Sequence, residues 1–165
     1  MSVTVEAGAE GDLEPIVEIY NHYVRQTYIT FDLEPFTVDG RREWFDHYAS
    51  SGRHRLLVAR DADRVLGYAT SSRWRPKAAY DTSVETTVYL HPAATGRGFG
   101  TLLYAELFSI LAGEDVHRAY AGISGPNQAS VALHERFGFT RAGTFTEQGR
   151  KFDRWWDVVW YEKPL

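Results

Sequence analysis

The chain has 165 residues, 44% of them hydrophobic and 15% aromatic, which is enough apolar mass for one folded unit and too much for a disordered chain. Its formal charge of −4, from 22 acidic and 18 basic residues, provides no general polyanion-binding surface and argues against nucleic acid as a partner. No cysteine is present, so disulfides, thiolate metal sites and a cysteine acyl-enzyme are excluded. With no signal-like start and no long apolar run, the expectation is a cytoplasmic protein with no membrane partner.

Val3, Thr4 and Val5 alternate and predict a first strand. Asp12 is placed to cap a helix over residues 13–25, with Pro15 in its first turn and Ile16, Ile19, Tyr20 and Tyr23 at helical spacing. A short polar-aromatic stretch, 28–31, follows. Residues 37–49 predict a second helix with Trp44, Phe45 and Tyr48 as its apolar face. Strands over 55–60 and 65–71 form a hairpin around Asp61-Ala62-Asp63.

Residues 74–81 connect to a β-branched run, 84–90, which ends at His91-Pro92 because proline cannot donate to a ladder. A helix begins near Phe99, with Leu103, Leu107, Ile110 and Leu111 in register. Residues 117–123 read as a strand. Asn127 caps a helix to Phe137, with Gly138 as its C′ residue. Strands over 139–145 and 152–161 close the chain, the last with Trp156, Val158 and Trp160 on one face. The order is β-α-α-β-β-β-α-β-α-β-β, a single α/β domain over residues 1–165 with a mixed sheet.

The chemistry concentrates after the 84–90 strand. A loop with Gly96, Gly98 and Gly100 leads directly into a helix. First-turn amides have no intrahelical partner, the helix dipole is positive there, and glycines admit a close ligand. Such a loop suits a pyrophosphate, and Arg97 adds a positive charge. It is neither a P-loop nor a complete dinucleotide fingerprint. Taken alone, the loop reads equally well as a flexible turn. Within the strand, Glu85 is an isolated charge in an apolar run, costly there unless used or paired.

Thr95 to Gly100 resembles the R/Q-x-x-G-x-G/A pyrophosphate loop of the GNAT acetyltransferases, with Thr95 where arginine or glutamine is usual. Asn127 to Phe139 resembles that superfamily's N-x-x-A/S-x-x-L-Y-x-x-x-G-F segment, with His134 in place of tyrosine. Within the superfamily, the stretches 74–90, Leu133-His134-Glu135 and 149–157 are similar to the phosphinothricin / methionine sulfoximine N-acetyltransferase group.

The resemblance implies a GNAT-like, mostly antiparallel sheet flanked by helices and acetyl-CoA as cosubstrate, with no metal. It implies acetyl transfer to the α-amino group of a small amino acid or analogue. Another amine (a polyamine, an antibiotic or a protein N-terminus) and a non-catalytic CoA-binding module are the competing readings. The resembled proteins are commonly homodimers.

The resemblance also implies the roles of individual residues. Glu85 is the general base that deprotonates the amine, the alternative being a solvent-facing edge position. Val88, Tyr89 and Leu90 offer backbone groups to the pantetheine and thioester. Gly96, Arg97, Gly98, Phe99, Gly100 and Thr101 form the phosphate loop, and Asn127 and Ser130 touch the CoA arm. His134 either protonates the leaving thiolate, positions the acceptor, or is a half-buried histidine bonded to backbone. Arg75 and Tyr80 belong to the acceptor pocket, with Arg75 binding a carboxylate. Phe31 lines the same pocket or is ordinary core. His22, His47, His54, His91 and His117 have no metal-ligand spacing. Trp155 and Trp156 pack in the core or against a second copy.

Overall fold

The structure, a computed structural model, describes residues 2–165. In chain order it contains β1 (Val3–Ala7), α1 (Leu13–Gln26), α2 (Val38–Asp46), β2 (Arg55–Asp61), β3 (Arg64–Arg73), β4 (Ser83–Leu90), α3 (Phe99–Leu111), β5 (Arg118–Ser124), α4 (Gln128–Arg136), β6 (Thr140–Lys151) and β7 (Arg154–Pro164). The strands form one seven-stranded sheet in the order β1-β2-β3-β4-β5-β7-β6. Neighbours pair antiparallel except β4 with β5, which are parallel. This is the mixed, mostly antiparallel α/β sheet expected.

Each face of the sheet buries its own cluster. On one side Leu103, Leu107 and Leu111 of α3 pack on Leu57, Leu66, Val84 and Ile123. On the other, Ile16 and Ile19 of α1 meet Leu56, Val58 and Tyr68, with Trp44, Phe45 and Tyr48 packed at the margin. Burying one such leucine contributes about 1.5–3 kcal/mol. An exposed ion pair such as Arg150–Asp153 contributes at most about 1 kcal/mol, so the two apolar layers, not the surface charges, hold the sheet.

Three local expectations need correction. Asp12 stands at the N-cap position of α1, but its side chain makes no capping bond. It ends a 3-10 turn (Glu10–Asp12), and its carboxylate accepts from Ala9 N at 2.8 Å and pairs with Arg60 at 2.8 Å. The second helix is shorter than 37–49: Thr37 is its cap, accepting from Gly40 N at 2.9 Å, and the helix ends at Asp46. Strand β6 runs on to Lys151, past a bulge between Phe145 and Gly149. Phe152 belongs to a turn with Asp153, both at positive φ, and β7 starts only at Arg154. The Trp156, Val158 and Trp160 face holds, with Trp156 and Val158 buried.

One irregularity positions the site. The parallel pairing of β4 with β5 covers only Ser83–Glu85 against Arg118–Tyr120. Beyond Glu85 the two strands part, leaving a split through the middle of the sheet.

Candidate active site

A cavity of about 320 Å³ occupies the split, lined by β4 from Thr86 to Leu90 and by β5 from Ala121 to Ser124. It reaches both faces: Tyr23 and Ile29 border it from the α1 side, Tyr104, Leu133 and His134 from the α3 side.

The β4 wall presents free backbone. His91 N donates to Leu66 O at 2.8 Å, so in this antiparallel ladder the odd-numbered residues of β4 aim their peptide groups at β3. The even-numbered residues therefore aim theirs at β5: the Glu85–Tyr120 pairing takes up the Thr86 N–H, and beyond it Val88 and Leu90 aim theirs into the split. Leu90 O accepts from Tyr23 OH there at 2.6 Å. Tyr89 turns its peptide groups to β3 and contributes its side chain, which meets Tyr20 edge-on at 5.2 Å.

Next to the cavity is the glycine loop. Gly96 and Gly98 have φ of +71° and +83°, and a Cβ at either would meet nothing. Glycine is needed for the backbone, and the space beside it stays open for a ligand. Gly100 serves a different need, since a Cβ there would lie 3.2 Å from Leu133, so it lets α3 and α4 approach. Gly96 and Gly100 line the cavity, whereas Arg97 and Gly98 are exposed. Arg97 stacks over the buried Phe99 ring at 5.0 Å. Thr101 takes a hydrogen bond from Arg136 at 3.4 Å. Asn127 and Ser130 border the cavity from α4, where the Asn127 side chain accepts from Ser130 N at 3.1 Å. A loop of open glycines at a helix start, beside unpaired strand amides, fits a phosphate-bearing chain such as CoA.

His134 is buried, 3% exposed. Its Nδ1 lies 2.7 Å from Ser130 O, a carbonyl that can only accept, so Nδ1 carries the proton. Nε2 therefore accepts from Tyr104 OH at 2.9 Å. Burial pushes the imidazole pKa down, against the weaker pull of the Ser130 carbonyl. The Tyr104 hydroxyl also lies 3.5 Å from Thr86 Oγ1. Both ring nitrogens of His134 are thus engaged, and the neutral ring holds the Tyr104 hydroxyl in place at the cavity wall.

Glu85 is at the apex, the last β4 residue paired with β5, opposite Tyr120. Strand alternation puts it on the face away from α3, the face of Tyr120, Gly122 and Trp160. Burial raises its pKa, and the Arg75 charge partly opposes that. Arg75 lies over the Trp74 ring at 4.6 Å, and Trp74 stacks on Tyr120 at 4.4 Å. Arg75 is thereby carried to the Glu85 side of the sheet. Tyr80 is 44% exposed and ends a 3-10 turn in the same connection. Phe31 is half-buried against Gly149.

The structure gathers Val88, Tyr89, Leu90, Gly96, Gly100, Asn127, Ser130 and His134 around one cavity, with Glu85 at its apex. Glu85, Arg75, Tyr80, Phe31, Arg97, Gly98, Phe99 and Thr101 do not line it. Sequence reasoning missed Thr86, Tyr104 and Gly122. Tyr104 had a signal, a hydroxyl in an otherwise apolar helix face. Gly122 had another, a glycine inside a strand. There the Trp160 indole lies so close that a Cβ would be 2.9 Å from it. No described helix is long and apolar enough to cross a membrane.

A parallel pair that opens into a split, a glycine cradle at a helix start and a half-buried carboxylate at the apex together define an acyltransferase. The chain matches the Acetyltransferase (GNAT) family over residues 16–139, and it belongs to that family. It is 61% identical to the phosphinothricin N-acetyltransferase of Streptomyces coelicolor, over 99% of this chain and 96% of that protein. It is 35% identical to the L-methionine sulfoximine/L-methionine sulfone acetyltransferase of Pseudomonas aeruginosa, over 100% and 96%. Among solved structures, a GNAT phosphinothricin acetyltransferase from Sinorhizobium meliloti in complex with AcCoA superposes with a TM-score of 0.93. It shares 31% identity and covers 100% of this chain and 89% of that one. The protein is an acetyltransferase.

Proposed function

We propose that this acetyltransferase moves an acetyl group from acetyl-CoA directly to the α-amino group of a small amino acid or analogue, of the phosphinothricin or methionine sulfoximine type. The observation that carries the reading is the placement of Glu85: a half-buried carboxyl at the apex of the split, with the Arg75 charge on its own side of the sheet. The relatives' acceptors, an amino acid analogue in each case, support the same choice.

Acetyl-CoA, when bound, supplies an activated acetyl thioester. Gly96 to Thr101 and the start of α3 would hold its phosphates, with Asn127 and Ser130 along the arm. The Val88 N–H points into the split as a donor for a carbonyl oxygen. An α-ammonium has a free pKa of about 8, so it must lose a proton before it attacks. Glu85, its pKa raised by burial, is suited to take that proton. Arg75 pairs with the acceptor's carboxylate. The Tyr104 hydroxyl has one proton, which the resting site holds toward His134 Nε2; turned from the ring into the split, that proton is the donor for the leaving sulfur. Tyr80 and Phe31 border the acceptor end. The cytoplasm is the proposed setting. A homodimer is also part of the proposal, because Phe145, Phe152 and Trp155 stand 51%, 54% and 58% exposed near the β6–β7 hairpin.

The test is thiol release from acetyl-CoA with phosphinothricin, methionine sulfoximine, the common amino acids and several polyamines. Turnover confined to amines bearing an α-carboxylate is expected. Turnover on polyamines or peptides instead would discard the acceptor.

A further inference from the structure

The segment 149–157 has no part in the chemistry above, yet it makes a set of contacts that converge on one loop. That loop, residues 27–36 between α1 and α2, borders the acceptor side of the split: Ile29 lines the cavity. Three positions of the hairpin each grip it. At Gly149 a Cβ would sit 2.2 Å from the Phe31 ring, so the ring rests on bare backbone. Lys151 is 4% exposed, and its Nζ donates to Thr30 O at 2.8 Å and Asp32 O at 2.9 Å. Trp156 stacks on Tyr28 at 3.9 Å and 15°. Trp156 Nε1 also donates to Lys151 O at 2.9 Å, which ties the two grips together.

The lysine is the unusual part. A buried ammonium is costly unless its donors are used, and burial lowers this one's pKa while Asp32 opposes the shift. Two carbonyls two residues apart reach one nitrogen only if the chain curls around it. Lys151 therefore fixes the curvature of the loop, not merely its attachment. On its inner side the loop is held through Thr30, whose hydroxyl lies 2.6 Å from Tyr20 OH. Tyr20 also donates to the Asp32 carboxylate, and Tyr28 OH donates to Pro126 O at 2.6 Å.

We infer that Gly149, Lys151 and Trp156 form a clasp that sets the position of the 27–36 loop and thereby the fit of the acceptor. They are positioning residues, acting through Phe31, Thr30, Asp32 and Tyr28. The inference rests on the acceptor lying on the Glu85 face, as proposed above.

The test compares Lys151→Met, Lys151→Arg and Gly149→Ala with the parent by three readouts: acceptor KM, calorimetric affinity for CoA, and amide exchange of residues 27–36. Expected are faster exchange in 27–36 for all three and an acceptor KM raised about 10- to 100-fold, the scale of a displacement near 1 Å. CoA affinity stays unchanged. Tyr28→Leu removes one grip from the loop side without altering the hairpin, and covers the case of a hairpin variant that fails to fold. Unchanged exchange in the folded variants overturns the clasp. Faster exchange with unchanged acceptor KM overturns its role in specificity. If the parent uses no amine with an α-carboxylate, the acceptor reading fails, while exchange still judges the clasp.

Discussion

The Tyr104 hydroxyl donates to His134 Nε2 at 2.9 Å, and the far nitrogen of the same ring donates to Ser130 O at 2.7 Å. Histidine is thus fixed in one tautomer and one orientation, with the tyrosine as the cavity-side group. Tyr104→Phe would leave Nε2 buried without a donor, at a cost of about 1–3 kcal/mol. Thermal melts should show that loss. Turnover should fall more than CoA affinity does, because the hydroxyl is assigned to the leaving group. A variant with full turnover would reject that assignment.

His134 also sets a pH limit on stability. Its folded pKa lies below the ordinary value because of burial, so the unfolded chain binds the proton more readily. The stability held by the neutral ring is complete above about pH 6.5, the unfolded value, and declines as pH falls from there through the folded value. In melts, the parent should lose more Tm than His134→Gln over that window.

Glu85→Gln should lower turnover by about 10²- to 10⁴-fold, the usual range for a general base, with CoA binding retained. An undiminished rate would remove Glu85 from the mechanism.

Arg75 and Glu85 are coupled in a way that pH can read. The glutamate pKa is raised by burial and held partly down by the arginine charge. Arg75→Ala should therefore raise it further. The acid limb of kcat/KM, where the base becomes protonated, should move to higher pH. Acceptor KM should rise as well, with a smaller rise for Arg75→Lys, which keeps the charge but loses the planar fork.

Gly98→Ala forces a side chain onto φ +83°, which costs about 1–2 kcal/mol. A Cβ there meets no protein atom, so any repacking is negligible. Calorimetry should show weaker CoA binding, with acceptor KM at saturating acetyl-CoA little changed.

The element order was legible because helix and strand periods are strong signals in helices such as α3 and strands such as β4. The details that were not legible have physical causes. Asp12 carries a capping residue's side chain, but it is drawn to Arg60, distant in sequence. The β6–β7 turn uses Phe152 and Asp153 at positive φ, where glycine or asparagine would have announced it. The glycine loop and Glu85 could be marked along the chain. That Glu85 stands where a split opens could not, because the split depends on where β4 and β5 cease to pair. Lys151 resembles any surface lysine until the loop that encloses it is seen.

The separation of β4 from β5 beyond Glu85 also bears on the cohesion of the molecule. Strands β1 to β4 make one panel and β5 to β7 another, and among the described residues the two edges bond through the short parallel pairing at Ser83–Glu85 and, just before it, through Thr82 O, which accepts from His117 N at 2.8 Å. A chain lodged in the gap would accept hydrogen bonds from one panel while touching the other. It would then be a brace as well as a reactant. Ligand occupancy should stiffen the seam itself, and amides on both sides of it should gain protection together.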